Sequence, residues 1–349
     1  MTMPLVTAPV GVRAVDIRDA RDCARVDAFV HAMPGATPFH LTAWSRAVEQ
    51  GCGQRARYLV AERADGRVIG VLPLTDMRSP LFGRALVSTG FGVDGGVLGE
   101  GLEALASGAW DLARRIGCPS VELRGGPVPE GWDSDPTSYL GFARDLAADD
   151  EAELLAIPRK QRAEVRRALG FDLEVVTGND PALLAEHYRV YAESVRNLGT
   201  PVFPAKLFRS VAAAMEADVL TIRHQGRAVA SVLSLYSQGT VFPYWGGGTH
   251  AARGLRANDR MYFALMAHAR ERGCTRFDFG RSKTGTGAAA FKKNWGFAPE
   301  PRVYAKKSDG PARAVNPLNP KYALMVRTWQ RLPLWAANIA GPWISRGLG

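Results

Sequence analysis

Between Val241 and Lys306 the chain gathers residues that could handle an activated acyl group. Val241 to Trp245 has the apolar, aromatic character of a strand and runs into Gly246, Gly247 and Gly248. Glycines placed there either let backbone N–H groups approach a ligand closely or form a plain tight turn. A basic loop, His250 to Asn258, follows, and a helix is expected from about Asn258 to Arg272. Such a helix aims the positive end of its dipole at an anion. A short strand, Arg276 to Phe279, and a loop of small residues then lead to Phe291, Lys292 and Lys293, which return two cations toward the same edge. Together these residues read as a site for a large, negatively charged acyl donor or acceptor.

Moving an acyl group from an ester or thioester to an amine requires a neutral amine, a stabilised tetrahedral oxyanion and a proton for the leaving group. A covalent enzyme intermediate is not required. The sequence has no Gly-x-Ser-x-Gly elbow and no His-x-x-x-Asp, and none of its cysteines sits in a Cys/His motif, so direct attack is the mechanism that fits. Asp278 lies within the strand ending at Phe279 and Gly280. A carboxylate on a buried strand must be paired or perturbed, so it either acts as a base or holds Arg281 or Arg253. Tyr244 and Trp245 either line a pocket at the strand end or pack in the core.

The elements that must position these residues occur twice. Arg114 to Gly126 (RRIGCPSVELRGG) matches Arg270 to Ser282 (RERGCTRFDFGRS) at an offset of 156 residues. Hairpins fall at nearly the same offset. The first runs from Tyr58 to Leu74 around Ala64-Asp65-Gly66, the second from Val219 to Tyr236 around Gln225-Gly226. Each hairpin leads to a glycine-dense stretch, a helix (Gly101 to Ile116 in the first copy) and a strand, which argues for a duplicated domain. Earlier helices are expected around Arg25–His31 and Thr42–Gln50, with Thr42 as an N-cap. Trp132 to Asp150 reads partly as connector, and long helices are expected over Pro181–Asn197 and Ala205–Glu216. On a helix near 159–167, Arg159, Arg162 and Arg166 recur at i, i+3 and i+7. They form either a solvated face or a ridge for phosphate or RNA.

The order YWGGG, basic loop, helix, RFDFG, small-residue loop, FKKNWGF resembles the second domain of the FemAB/FemX aminoacyltransferase family. The variant is similar to the exosortase- and exopolysaccharide-associated (PEP-CTERM) FemAB-like branch. The resemblance spans roughly residues 35 to 310. It implies an α/β fold of two tandem GNAT-like domains, each a mixed twisted sheet flanked by helices. It further implies an acyl or aminoacyl transferase acting on a cell-envelope precursor, either peptidoglycan or exopolysaccharide, with aminoacyl-tRNA or acyl-CoA as donor and no permanently bound cofactor. Lys292 stands where FemX-like proteins carry the lysine of a Phe-Lys motif and is the first candidate catalytic residue, with Asp278 beside it. Tyr244, Trp245, Gly246, Gly247, Gly248, Arg253, Gly254, Asn258, Arg281 and Lys293 are candidates for donor binding. Arg159, Arg162 and Arg166 are candidates for acceptor or phosphate contact. The loop ARGLRAN (Ala252–Asn258) loosely resembles the pyrophosphate loop of acetyl-CoA acetyltransferases, but Arg256 and Ala257 replace its second glycine. This makes acetyl-CoA the alternative donor. A non-catalytic module of a polysaccharide-export assembly is the remaining reading.

Size and composition suit two domains, expected over 1–150 (acceptor binding or scaffold), 151–310 (donor binding and catalysis) and a tail over 311–349. The formal charge of +10 fits either a solvated basic surface or attraction to tRNA, nucleotide-linked sugars or an anionic membrane. Four scattered cysteines without a CxxC pair argue against a zinc site or a disulfide framework. With no secretory signal and no long apolar run, a soluble, reduced, cytoplasmic protein is expected. The basic, acid-free tail carries Trp329, Trp335 and Trp343. It either packs back on the domains or lies as an interfacial segment, through residues 316–349, on the inner face of the membrane.

Overall fold

The computed structural model describes residues 10–310 and 323–349. In chain order the elements are β1 (Gly11–Ala14), α1 (Ala20–Ala32), α2 (Thr42–Cys52), β2 (Arg55–Glu62), β3 (Val68–Ser79), β4 (Gly83–Ser88), β5 (Leu98–Gly99), α3 (Leu102–Arg115), β6 (Ser120–Arg124) and β7 (Asp133–Asp135). There follow β8 (Tyr139–Asp145), α4 (Asp150–Ala156), α5 (Arg159–Leu169), β9 (Glu174–Gly178), α6 (Pro181–Asn197), α7 (Ala205–Ala214), β10 (Ala217–His224), β11 (Arg227–Ser237) and β12 (Thr240–Gly248). The chain continues with α8 (Ala257–Glu271), β13 (Arg276–Lys283), α9 (Gly287–Asn294), β14 (Glu300–Pro301), β15 (Tyr304–Ser308), α10 (Ala323–Arg331) and α11 (Leu334–Ser345).

The strands form two mixed sheets, ordered β1-β2-β3-β4-β6-β15-β7 (with β5 on β3) and β14-β8-β13-β12-β11-β10-β9. Each repeats one plan. An antiparallel hairpin (β2–β3 or β10–β11) continues into a third antiparallel strand (β4 or β12), and a helix (α3 or α8) crosses over to a parallel neighbour (β6 or β13). The helix and parallel strand keep the 156-residue offset. The middle strands β3 and β11 are buried along nearly their whole length, Thr75, Asp76, Ser231 and Ser234 included, because both faces are covered. Helix starts follow local chemistry: Asp180 accepts from the N–H groups of Ala182 and Leu183 with Pro181 opening α6, and Thr286 caps α9.

The two compact units divide differently from the expected 150/151 and 310/311 borders. The first runs to Pro136 and resumes at Val303, and the second spans Thr137 to Arg302 with the C-terminal helices. The reason is an exchange of strands. β8, within the stretch expected as connector, pairs with β13 in the second sheet, while β15 returns to pair with β6 and β7 in the first. Four other expectations change. The three glycines after Trp245 belong to β12 rather than to a turn, and the small-residue loop before Phe291 is largely α9. Thr42 is the first helical residue rather than the cap, and its N–H and Oγ1 donate to Asp27. The helix expected to reach Glu216 ends at Ala214. Each unit has its own apolar core, around Leu72, Leu86 and Leu123 in the first and around Phe142, Val241, Met261, Phe277 and Trp295 in the second.

Candidate active site

In the second unit, β12 and β13 run parallel but pair at only two positions, Thr240 opposite Arg276 and Val241 opposite Phe277. Each then carries an extra residue. On β12, Tyr244 lies between Pro243 and Trp245, which face the consecutive residues Ser234 and Leu233 of β11. On β13, Phe279 and Gly280 separate Asp278 and Arg281, which face Ala143 and Gly141 of β8. A bulge bends its strand and re-aims its side chains. Beyond Val241 and Phe277 the two strands no longer pair, and this unpaired seam, flanked by a bulge on each strand, forms a wedge toward Gly248 and Lys283.

Lys292 and Asp278 build the bulge on β13. Lys292 comes from the last turn of α9, and its Nζ donates to the carbonyl oxygens of Phe279 (2.6 Å), Gly280 (3.2 Å) and Arg281 (3.0 Å). An ammonium has three protons, so these carbonyls occupy all of them. The Phe142 ring lies 5.4 Å from Nζ. Burial pulls the ammonium down to about 8, opposed by the nearby Asp278. Asp278 Oδ1 accepts from the Gly280 N–H at 2.7 Å, and burial raises its own pKa. Gly280 has φ +66°, the left-handed region that glycine enters without strain. The first two candidates are thus brought together, and what they hold is the strand's own backbone.

On the other side of the wedge, the protein's own atoms approach the glycines. A Cβ on Gly246 would sit 2.9 Å from Val232, one on Gly247 would sit 2.6 Å from the Cβ of Ser194 on α6, and one on Gly248 would sit 2.7 Å from both Ala252 and Asn258. The last contact shows that α8 begins against the end of β12. That helix start has no side-chain cap, and among the described residues nothing accepts from the N–H groups of Ala257 and Asn258. Arg256 precedes them at φ +52°. An arginine thus holds the left-handed backbone where the pyrophosphate-loop pattern has glycine. Its Nε lies 2.6 Å from Glu164 on α5. Beside this ion pair, Gln161 donates to Asp259 Oδ1 at 2.6 Å. Burial pushes the Asp259 carboxyl up to about 6, against the Gln161 hydrogen bond and Arg256.

The remaining candidates fall around this frame. Trp245 is buried against Phe208, 4.5 Å between ring centroids, whereas the bulged Tyr244 is half-buried. Arg253, Gly254 and Lys293 are exposed, and the Arg281 guanidinium lies 4.4 Å from the Tyr139 ring centroid. Of the α5 arginines, Arg159 and Arg166 are exposed, while Arg162 donates to the carbonyls of Leu155 and Ile157. Sequence reasoning missed Gln161, Glu164 and Asp259. The signal was there, since Gln161 and Glu164, three apart among cations, mark the face of α5 that turns to α8.

Among its described residues the first unit has no equivalent opening. β4 and β6 stay paired to Ser88 opposite Leu123, and the following segment folds across the strand end. Gly90 N–H donates to Thr75 Oγ1 at 3.0 Å, and Arg124 donates to the carbonyls of Thr89 and Gly92, both at 3.3 Å. A Cβ on Gly96 would collide with the Gly125 carbonyl. Backbone occupies this seam.

Residues 157–293 match the family described as acetyltransferase (GNAT) domain. The chain resembles the crystal structure of FemX, with a TM-score of 0.65 at 16% identity over 84% of this chain and 96% of that one. The chain has a tandem GNAT-like fold. It also resembles the C-terminal domain (DUF2156) of a putative lysylphosphatidylglycerol synthetase from Agrobacterium fabrum, with a TM-score of 0.57 at 16% identity over 83% and 93% of the two chains. A tandem GNAT protein from the clavulanic acid biosynthesis pathway gives a TM-score of 0.54 at 14% identity over 87% and 100%. No curated protein sequence matches.

Proposed function

We propose that the second unit is an acyltransferase centre that passes an acyl group from an activated, anionic donor directly to an amine or hydroxyl. The observation that carries this reading is the wedge between β12 and β13 with the uncapped start of α8 at its edge. Two N–H groups without an acceptor among the described residues and a helix dipole suit a donor phosphate, and the acyl carbon would lie along the unpaired seam. In the transfer the acceptor's lone pair attacks the acyl carbon, the ester or thioester bond breaks, and the acceptor proton leaves with the donor oxygen or sulfur. Lys292 and Asp278 serve as positioning residues that hold the bulge.

The donor is aminoacyl-tRNA or an acyl-CoA. The exposed Arg159 and Arg166 on α5, which packs beside the start of α8, support the RNA-linked donor. The match to the GNAT domain supports the CoA-linked one. The acceptor is a cell-envelope precursor, of peptidoglycan or exopolysaccharide, on the strength of the FemAB resemblance. The test is to incubate the purified protein with acetyl-CoA and with pools of charged tRNA, and to follow donor consumption by mass spectrometry. Loss of one donor is expected. If neither is consumed, and calorimetry detects binding of neither, the proposal fails.

A further inference from the structure

The C-terminal helices use one face against the second unit and leave the other bare. On α11, Ala337, Gly341 and Ser345 are buried at i, i+4 and i+8. Gly341 packs against Val202, and Ser345 Oγ donates to the Val202 carbonyl at 2.7 Å. The neighbouring α10 is tied to α6, where Arg196 donates to the Gln330 carbonyl and Gln330 to that of Asn197. Trp335, Ile339 and Trp343 repeat the same spacing on the outer side and are 69%, 73% and 54% exposed. At 1.5 Å per residue they form an apolar stripe about 12 Å long with an indole at each end. On α10, Leu324 and Met325 are exposed as well, and Arg327 and Arg331 share the face of Leu324 at i+3 and i+7. From Gly310 to Gly349 the sequence contains five Lys or Arg and no acid.

We propose that α10 and α11 form a docking face for an anionic lipid bilayer. Indoles suit the headgroup boundary, where an apolar ring and an N–H group can both be satisfied. The exposed Arg327 and Arg331 match a negative surface, with no carboxylate on α10 or α11 to repel it. No helix among the described residues is long and apolar enough to cross a membrane, so the segment lies on the bilayer. The packed inner face already gives α11 its rigid placement, so binding requires no refolding of the helix. This inference does not depend on the acyl-transfer reading.

The test is sedimentation of the full chain with vesicles of phosphatidylcholine alone and of phosphatidylcholine mixed with phosphatidylglycerol. Binding to the anionic vesicles is expected, with a blue shift of tryptophan emission. The triple variant Trp335→Ala, Ile339→Ala, Trp343→Ala should bind at least about a hundredfold more weakly. Its thermal melt should match the wild type, since only exposed side chains change. Arg327→Gln with Arg331→Gln should cost about fivefold per residue on the anionic vesicles and little on the neutral ones. The proposal is overturned if the wild type ignores anionic vesicles, or if the triple variant binds them as well as the wild type. It is equally overturned if the wild type is a lipid-independent dimer that the triple variant abolishes, because the stripe would then be an interface between copies.

Discussion

Replacing Lys292 by methionine separates a residue that acts on substrate from one that holds a strand. Methionine keeps an unbranched stem among Phe142 and Phe279 but removes the three N–H donors. A buried carbonyl left without a donor costs about 1–3 kcal/mol, so the oxygens of Phe279, Gly280 and Arg281 together cost about 3–9 kcal/mol. The fall of the ammonium from 10.5 to about 8 represents about 3 kcal/mol of desolvation that the variant regains. The expected net loss centres near 3 kcal/mol and is read from the urea midpoint at constant m-value. The pH dependence gives an independent check. Lys292 titrates lower in the folded chain, so between about pH 8 and 10.5 the unfolded chain binds more protons. Stability of the wild type relative to the variant should therefore rise across that window by about 3 kcal/mol and be flat below it. A variant as stable as the wild type but reduced more than about a hundredfold in transfer would refute the strand-holding role, because the ammonium would then act on the substrate.

Three further changes probe the opposite side of the site. Gly247→Ala should lose about 1–3 kcal/mol in urea unfolding, since its Cβ meets the Ser194 side chain, whereas Gly254→Ala, which meets nothing within 4 Å, should stay within about 0.5 kcal/mol. Equal effects would contradict the packing described here. Asp259→Asn should raise stability at neutral pH by about 1–2 kcal/mol, a figure reduced for the carboxyl's partial exposure. Because burial raises this carboxyl in the folded chain, its penalty is absent below pH 4 and grows as pH rises toward about 6. The advantage of the variant should therefore vanish in acid unfolding experiments.

The sequence showed the duplicated plan because hairpin, helix and strand are local patterns, and Arg114–Gly126 and Arg270–Ser282 repeat them in phase. It placed Lys292 and Asp278 close together because both border one short strand and helix. What it concealed depends on partners distant in the chain. Nothing around Tyr139–Asp145 says that this strand will pair with β13, 131 to 144 residues away, rather than serve as connector. The bulges at Tyr244 and Phe279–Gly280 are visible only once β11 and β8 supply the register. The three glycines suggested a ligand because glycine records a close approach but not what approaches, and here Val232, Ser194, Ala252 and Asn258 do.

The exchanged strands also order events during synthesis. The first sheet lacks the strand between β6 and β7 until Tyr304–Ser308 has left the ribosome. At about 5–20 residues per second, the stretch from Pro136 to Ser308 takes roughly ten to thirty seconds to translate. Throughout that interval the edge of β6 is an unpaired template for any extended chain nearby. A nascent product halted near residue 300, just short of β15, should therefore be a target for chaperones and proteases.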